Sequence, residues 1–166
     1  MENKKKYISK DAALLKLRNF CAYQERCHDE VRSKLISLGI YGNDLENVIA
    51  LLIEDNFLNE QRFAEAYVGG KFRIKQWGRI RLLQGLKQRH ISEYCIKKAM
   101  LTIDDDQYLA TLQQLLTHKK EELERASKER TEFECNQKIA DHALRRGFET
   151  HLVWENIKLL FVRIKH

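Results

Sequence analysis

Leu, Ile, Val and Phe return at helical spacing through every segment of the chain, so the pattern predicts helix almost throughout. Three segments superpose by apolar position when Gly39-Ile40, His90-Ile91 and Gly147-Phe148 are aligned as anchors. Nine residues before the apolar anchor stand Val31, Leu82 and Ile139, and five before it stand Leu35, Leu86 and Ala143. Five, nine and twelve residues after it come Leu45, Ile49 and Leu52, then Ile96, Met100 and Ile103, then Val153, Ile157 and Leu160. This is the inward face of a helix, and each copy therefore reads as helix, tight turn, helix. Ile49, Met100 and Ile157 are expected at equivalent buried positions.

Another amphipathic helix precedes each copy, at about 8–21 (Leu14, Leu17, Phe20), 59–75 (Phe63, Tyr67, Ile74) and 105–127 (Leu109, Leu112, Leu115, Leu116). The expected fold is all-α, with nine helices in three tandem three-helix repeats at 1–57, 58–103 and 104–166, each burying part of its apolar face against a neighbour. Nothing in the pattern calls for a second chain, and a monomer is expected. Local signals agree with these boundaries. Thr131 and Glu134 form a capping box, Ser92 and Asn59 are good N-caps, and Gly39 and Gly147 suit the left-handed residue that ends a helix. In the middle copy that residue is His90, which costs a little strain if it adopts the same geometry.

The absence of proline supports the helical reading, because proline is costly inside helices and common in strand-rich loops. The N-terminal residues lack the apolar stretch of a secretory signal, and no run is long enough for a membrane span, so a cytoplasmic protein is expected. Cys21, Cys27, Cys95 and Cys135 are widely separated and form no C-x-x-C pair, which points to reduced, mostly buried thiols. Net charge is +6, but residues 71–98 alone carry nine cations against the single carboxylate of Glu93. The nine are Lys71, Arg73, Lys75, Arg79, Arg81, Lys87, Arg89, Lys97 and Lys98. A block of that density attracts polyanions or an acidic protein surface; the plainer alternative is a solvated helical face.

Enzymatic constellations are not found. There is no glycine-rich phosphate loop, H-E-x-x-H or G-x-S-x-G. Cys27-His28 is the one adjacent Cys/His pair, without a second pair to complete a zinc site, so neither metal nor cofactor is expected. Asp104, Asp105 and Asp106 open a helix, where the macrodipole accounts for them. The chain is not expected to be an enzyme.

Four short signatures, in order, carry a resemblance: Val31-Arg32-Ser33-Lys34-Leu35 running to Gly39-Ile40; Phe57-Leu58-Asn59-Glu60-Gln61-Arg62-Phe63-Ala64 followed by Tyr67; Gly78-Arg79-Ile80 with Leu82, Leu86 and Ile91; and Leu144-Arg145-Arg146-Gly147-Phe148. Their order and their coincidence with the three repeats resemble the RecX family, regulators of the bacterial recombinase RecA. His90 and Asn56 stand where that family usually has glycine, and Glu60-Gln61 where it has a more acidic pair. The resemblance implies a curved, elongated array that lodges in the groove of a RecA filament on single-stranded DNA and limits strand exchange and ATP hydrolysis.

The candidate contact surface is the basic block. Lys71 and Lys75 are spaced i, i+4 beside the apolar stripe of the fourth helix; Arg81, Gln84 and Gln88 lie opposite Leu82, Leu83 and Leu86; Lys97, Lys98 and Tyr94 flank the sixth helix. Arg79 is expected to pack its stem on the apolar side, and Trp77 to anchor the core rather than stack on bases. The fallback surface is the cationic N-terminus around Lys4, Lys5, Lys6 and Lys10. The partner is expected to be the RecA filament, with single-stranded or duplex DNA contacted directly as a second reading, since a three-helix unit with a basic second helix also suits major-groove docking.

Overall fold

A computed structural model describes residues 7–126 and 128–162, and within them all regular structure is helical. The helices are α1 (Lys10–Tyr23), α2 (His28–Ser37), α3 (Gly42–Glu54), α4 (Glu60–Lys75), α5 (Arg79–Gln88), α6 (Glu93–Met100), α7 (Asp105–Arg125), α8 (Glu132–Arg145) and α9 (Thr150–Val162). No helix among the described residues is long and apolar enough to cross a membrane. Lys4, Lys5 and Lys6 lie outside the described residues; Lys10 opens α1.

The three anchors fold into the same stop. After α2, the Gly39 N–H donates to the Ile36 carbonyl and Ile40 to Leu35; after α5, His90 donates to Lys87 and Ile91 to Leu86; after α8, Gly147 donates to Leu144 and Phe148 to Ala143. That pair of bonds is the Schellman motif, in which the last carbonyls of a helix are satisfied by a left-handed residue and its successor. The left-handed residues are Gly39 (φ 83°), His90 (φ 55°) and Gly147 (φ 90°), and the successors Ile40, Ile91 and Phe148 are all buried. Asn56 (φ 61°) closes α3 the same way, donating to Ile53 while Phe57 donates to Leu52. The strain expected at His90 is therefore present, and its exposed bond to Asp29 (Nδ1 to Oδ2, 2.6 Å) offsets little of it. His90→Gly is expected to raise stability by about 0.5–1 kcal/mol, the left-handed strain less the extra chain entropy of glycine, read as a higher urea midpoint; an unchanged or lower midpoint would show that the Asp29 contact outweighs the strain.

Contacts divide the chain into two compact units, residues 1–67 with 86–99, and residues 68–85 with 100–166. In the first, α1, α2 and α3 pack on one another around Leu17, Val31, Leu35, Val48, Ile49, Leu52 and Leu58. Arg62 explains its motif here: Nε binds Glu25 at 2.5 Å, Nη1 binds Asn56 Oδ1 at 3.2 Å, and Nη2 reaches the carbonyls of Asn56 and Phe57 at 3.0 and 3.3 Å. Glu60 does similar work for α6, accepting from the Ser92 N–H and hydroxyl and from the Cys95 thiol. Asn59 and Ser92 both cap as expected, the latter with a long 3.4 Å bond.

In the second unit α7, α8 and α9 pack mutually. Tyr108, only 1% exposed, sits between Phe72 and Phe148 with ring centroids 5.9 and 5.0 Å away. Buried Asn156 is satisfied by the Leu152 carbonyl and by Gln113. The Thr131–Glu134 capping box forms in full, and Asp104 caps α7.

Ile49 and Ile157 are buried as expected, but Met100 is half-buried and Ala99 takes the fully buried place. Ile74 is 80% exposed rather than on the stripe of α4, whose buried hydrophobic side chains are Phe63, Ala64, Val68 and Phe72. Leu109 yields the core position to Tyr108, and Leu160 is half-buried. The four cysteines are free, and burial pushes the thiol pKa of Cys21, Cys27 and Cys95 up, away from reactive thiolate.

Candidate interaction surface

The corner between α4 and α5 is built by backbone. Gln76 turns left-handed (φ 54°), and the Gly78 N–H then donates to the Arg146 carbonyl at 2.7 Å, while the Ile80 N–H donates to the Gly147 carbonyl at 3.0 Å. Two signatures distant in sequence, Gly78-Arg79-Ile80 and Arg146-Gly147-Phe148, thus meet directly. Contact this close needs both glycines: a Cβ on Gly78 would lie 2.3 Å from the Gly147 carbonyl, and one on Gly147 would lie 2.4 Å from Arg81 Cβ.

Around that corner stand several of the predicted cations. Arg81 lies 4.0 Å from the Trp77 ring centroid and Lys71 lies 5.0 Å from it, so the half-buried indole is flanked by cations. Arg81 Nη1 also donates to the Arg145 carbonyl at 3.3 Å, and Arg146 Nη1 to the Lys75 carbonyl at 2.7 Å, the latter closing the C-terminal end of α4. Lys75 and Arg73 are exposed, with the Arg73 guanidinium folded back over Gly69 of its own helix.

Arg79 is differently placed. Its guanidinium covers the Tyr108 ring at 3.9 Å and pairs with Asp105 at 2.5 Å and Glu149 at 3.6 Å. The Tyr108 hydroxyl accepts from the Arg79 N–H at 3.0 Å and donates to Glu149 at 2.5 Å. Burial, reinforced by the bond to Glu149, drives the phenol pKa well up, so the hydroxyl stays a donor. The stem of Arg79 packs as its position in the helix suggested, and its charge is committed to two carboxylates.

The remaining four predicted cations belong to the first unit. Lys87 and Lys97 are exposed, Arg89 is half-buried with its guanidinium 4.9 Å from the Tyr67 ring, and Lys98 lies 4.6 Å from the ring of exposed Tyr94, whose hydrogen bond raises the lysine pKa. The nine cations of the block therefore divide, five with residues 68–85 and four with residues 86–99.

Arg145 and Arg146 were not singled out as contact residues from sequence. In the sequence they enter only as part of the Leu144-Arg145-Arg146-Gly147-Phe148 signature, with Gly147 as its helix end. They join the corner through the glycine contact, and their field is felt at His142: burial lowers its pKa first, and Arg146, Lys119 and Arg145 lower it further.

A family model described as RecX, second three-helix domain, matches residues 59–100. The regulatory protein RecX of Clostridium tetani is 27% identical over 129 residues, spanning 78% of this chain and 56% of that protein. Its counterpart from Enterococcus faecalis is 26% identical over 155 residues, spanning 92% of this chain and 56% of that one. The chain thus spans little more than half the length of the curated relatives it matches. The crystal structure of RecX from Lactobacillus salivarius superposes with a TM-score of 0.80 at 21% identity, covering 92% of this chain and 97% of that one. A crystal structure of another regulatory protein RecX gives 0.78 at 19%, covering 90% and 72%. These two likenesses establish the shared fold.

Proposed function

The chain belongs to the RecX family, and from that premise we propose that it is a regulatory protein that binds a RecA filament on single-stranded DNA and restrains its strand exchange and ATP hydrolysis. It works as a cytoplasmic monomer in three repeats, 1–57, 58–103 and 104–166, with the basic block as its contact. The observation that carries the reading is Arg81, stacked on Trp77 at 4.0 Å and, among the described residues, in no ion pair. Of the nine block cations, Arg79 contributes least, because Asp105 and Glu149 already neutralise it.

The test is RecA ATPase and strand exchange on single-stranded DNA, with and without this protein. Reversing Lys71, Lys75, Arg81, Lys97 and Lys98 together to glutamate is expected to preserve helicity, since good helix formers replace good helix formers. Filament affinity is expected to fall by about tenfold or more, the loss of over ~1.4 kcal/mol of charge complementarity. If the five-fold variant inhibits RecA as well as the parent does, the basic block is not the contact.

A further inference from the structure

Five arginines elsewhere in the fold are matched to acids, Arg18 with Asp55, Arg32 with Glu46, Arg62 with Glu25, Arg79 with Asp105 and Glu149, and Arg125 with Glu121, whereas Arg26 and Arg130 lie singly on the carbonyls of Phe20 and Leu123 and Arg73 lies over Gly69 of its own helix. Arg81, Arg145 and Arg146 form no ion pair among the described residues, although the fold brings them to one corner. Two of the three guanidiniums are instead positioned by carbonyls, Arg81 on that of Arg145 and Arg146 on that of Lys75. A guanidinium has five N–H donors, so most of its donors stay available while its placement is already fixed. Such a group recognises an external anion without first breaking an internal pair.

Which anion follows from what surrounds it. Two large aliphatic side chains belong to the segments that form this corner, Ile74 80% exposed at the end of α4 and Ile80 43% exposed at the start of α5. Arginine beside exposed aliphatic and aromatic surface is the composition of a protein interface, whereas a phosphate track gains nothing from isoleucine. Trp77 is not a platform for a nucleobase, because Arg81 and Lys71 already stand over its ring. Nor does α5 present a free first turn to a groove, since the N–H groups of Gly78 and Ile80 are bound to the Arg146 and Gly147 carbonyls.

We propose that the α4–α5 corner, together with the Arg145–Arg146 pair at the end of α8, docks an acidic polypeptide segment that also carries aliphatic side chains: carboxylates on Arg81, Arg145 and Arg146, aliphatic groups on Ile74 and Ile80. This rests on the regulatory reading above and specifies the chemistry of the partner's contacting segment. The half-buried His142 one turn earlier has its pKa lowered by burial first and then by Arg146, Lys119 and Arg145, with Glu122 opposing them.

The experiment uses the full chain and three fluorescently labelled probes: a glutamate-rich peptide bearing leucines, the same peptide with serine for each leucine, and an oligothymidylate. Arg145→Glu and Ile74→Ser alter exposed side chains, and a circular dichroism melt verifies that each folds. The leucine-bearing peptide is expected to bind best, and each substitution to weaken it by about tenfold. Oligothymidylate binding is expected to be indifferent to Ile74→Ser. Equal binding of the two peptides, tighter binding of oligothymidylate lost in Arg145→Glu, or binding of no probe each overturns the proposal. RecA inhibition is measured alongside. If the parent binds the peptide but not the filament, the RecA reading fails and the acidic-segment site stands. If the parent inhibits RecA and both variants inhibit equally, the site fails and the RecA reading stands.

Discussion

Gly147→Ala is expected to lower the stability of the unit formed by residues 68–85 and 100–166 by about 3 kcal/mol, combining ~1–2 kcal/mol for a side chain in left-handed backbone with ~1–3 kcal/mol for overpacking. Both contributions are explicit in the geometry. Gly147 has φ 90°, and its added Cβ would lie 2.4 and 2.5 Å from the Cβ and backbone nitrogen of Arg81. Neither neighbour can yield, because each belongs to the first turn of α5, which is itself bonded to the Gly147 carbonyl through Ile80. Gly78→Ala isolates the packing contribution, since its Cβ would meet the Gly147 carbonyl and the Phe148 nitrogen at 2.3 Å while its φ is not positive. Urea unfolding followed by circular dichroism and tryptophan fluorescence checks both, with the larger loss at Gly147. A Gly147→Ala midpoint matching the parent would mean that the two turns do not touch.

Tyr108→Ala is expected to cost about 3–5 kcal/mol, the usual loss for truncating a fully buried aromatic, because it empties the space between Phe72 and Phe148. Tyr108→Phe separates packing from polarity. The ring remains, but the Arg79 N–H loses its acceptor and Glu149 loses a 2.5 Å donor, for about 1–3 kcal/mol. Adding Glu149→Gln to Tyr108→Phe should cost less than the sum of the single changes, since both act on one hydrogen-bonded cluster. Strict additivity in a double-mutant cycle would show that the hydroxyl and the carboxylate are independent.

The repeat was legible because helix stops are chemically explicit. Glycine, or a residue forced into its place, marks each of them, and the next residue must be apolar to cover the last turn, so Ile40, Ile91 and Phe148 align without reference to anything distant. Errors arose where a small or amphipathic residue holds the buried place beside a larger aliphatic one. Ala99 holds the place expected for Met100, and Tyr108 that expected for Leu109, each a rotation by one residue about the helix. Ile74 looks like a stripe residue in sequence because Ala64 and the Gly69-Gly70 pair thin out the apolar signal of α4. The basic block was legible as composition, but its internal differences were not. Arg79 is neutralised by Asp105 and Glu149, and Arg81 gains Arg145 and Arg146 as neighbours, only through contacts between segments far apart in sequence.

The contact of Gly78 with Gly147 also sets an order of events during synthesis. Helices α1, α2 and α3 can assemble as soon as they leave the ribosome, whereas residues 68–85 acquire their packing partners only after translation has passed α7 and α8. Until then Phe72 lacks Tyr108, and the Gly78 amide lacks the Arg146 carbonyl. A nascent chain paused between α6 and α7 would therefore display Phe72 and a bare basic corner to chaperones and proteases, and truncation just before Gly147 would still remove the carbonyl that holds the Ile80 amide.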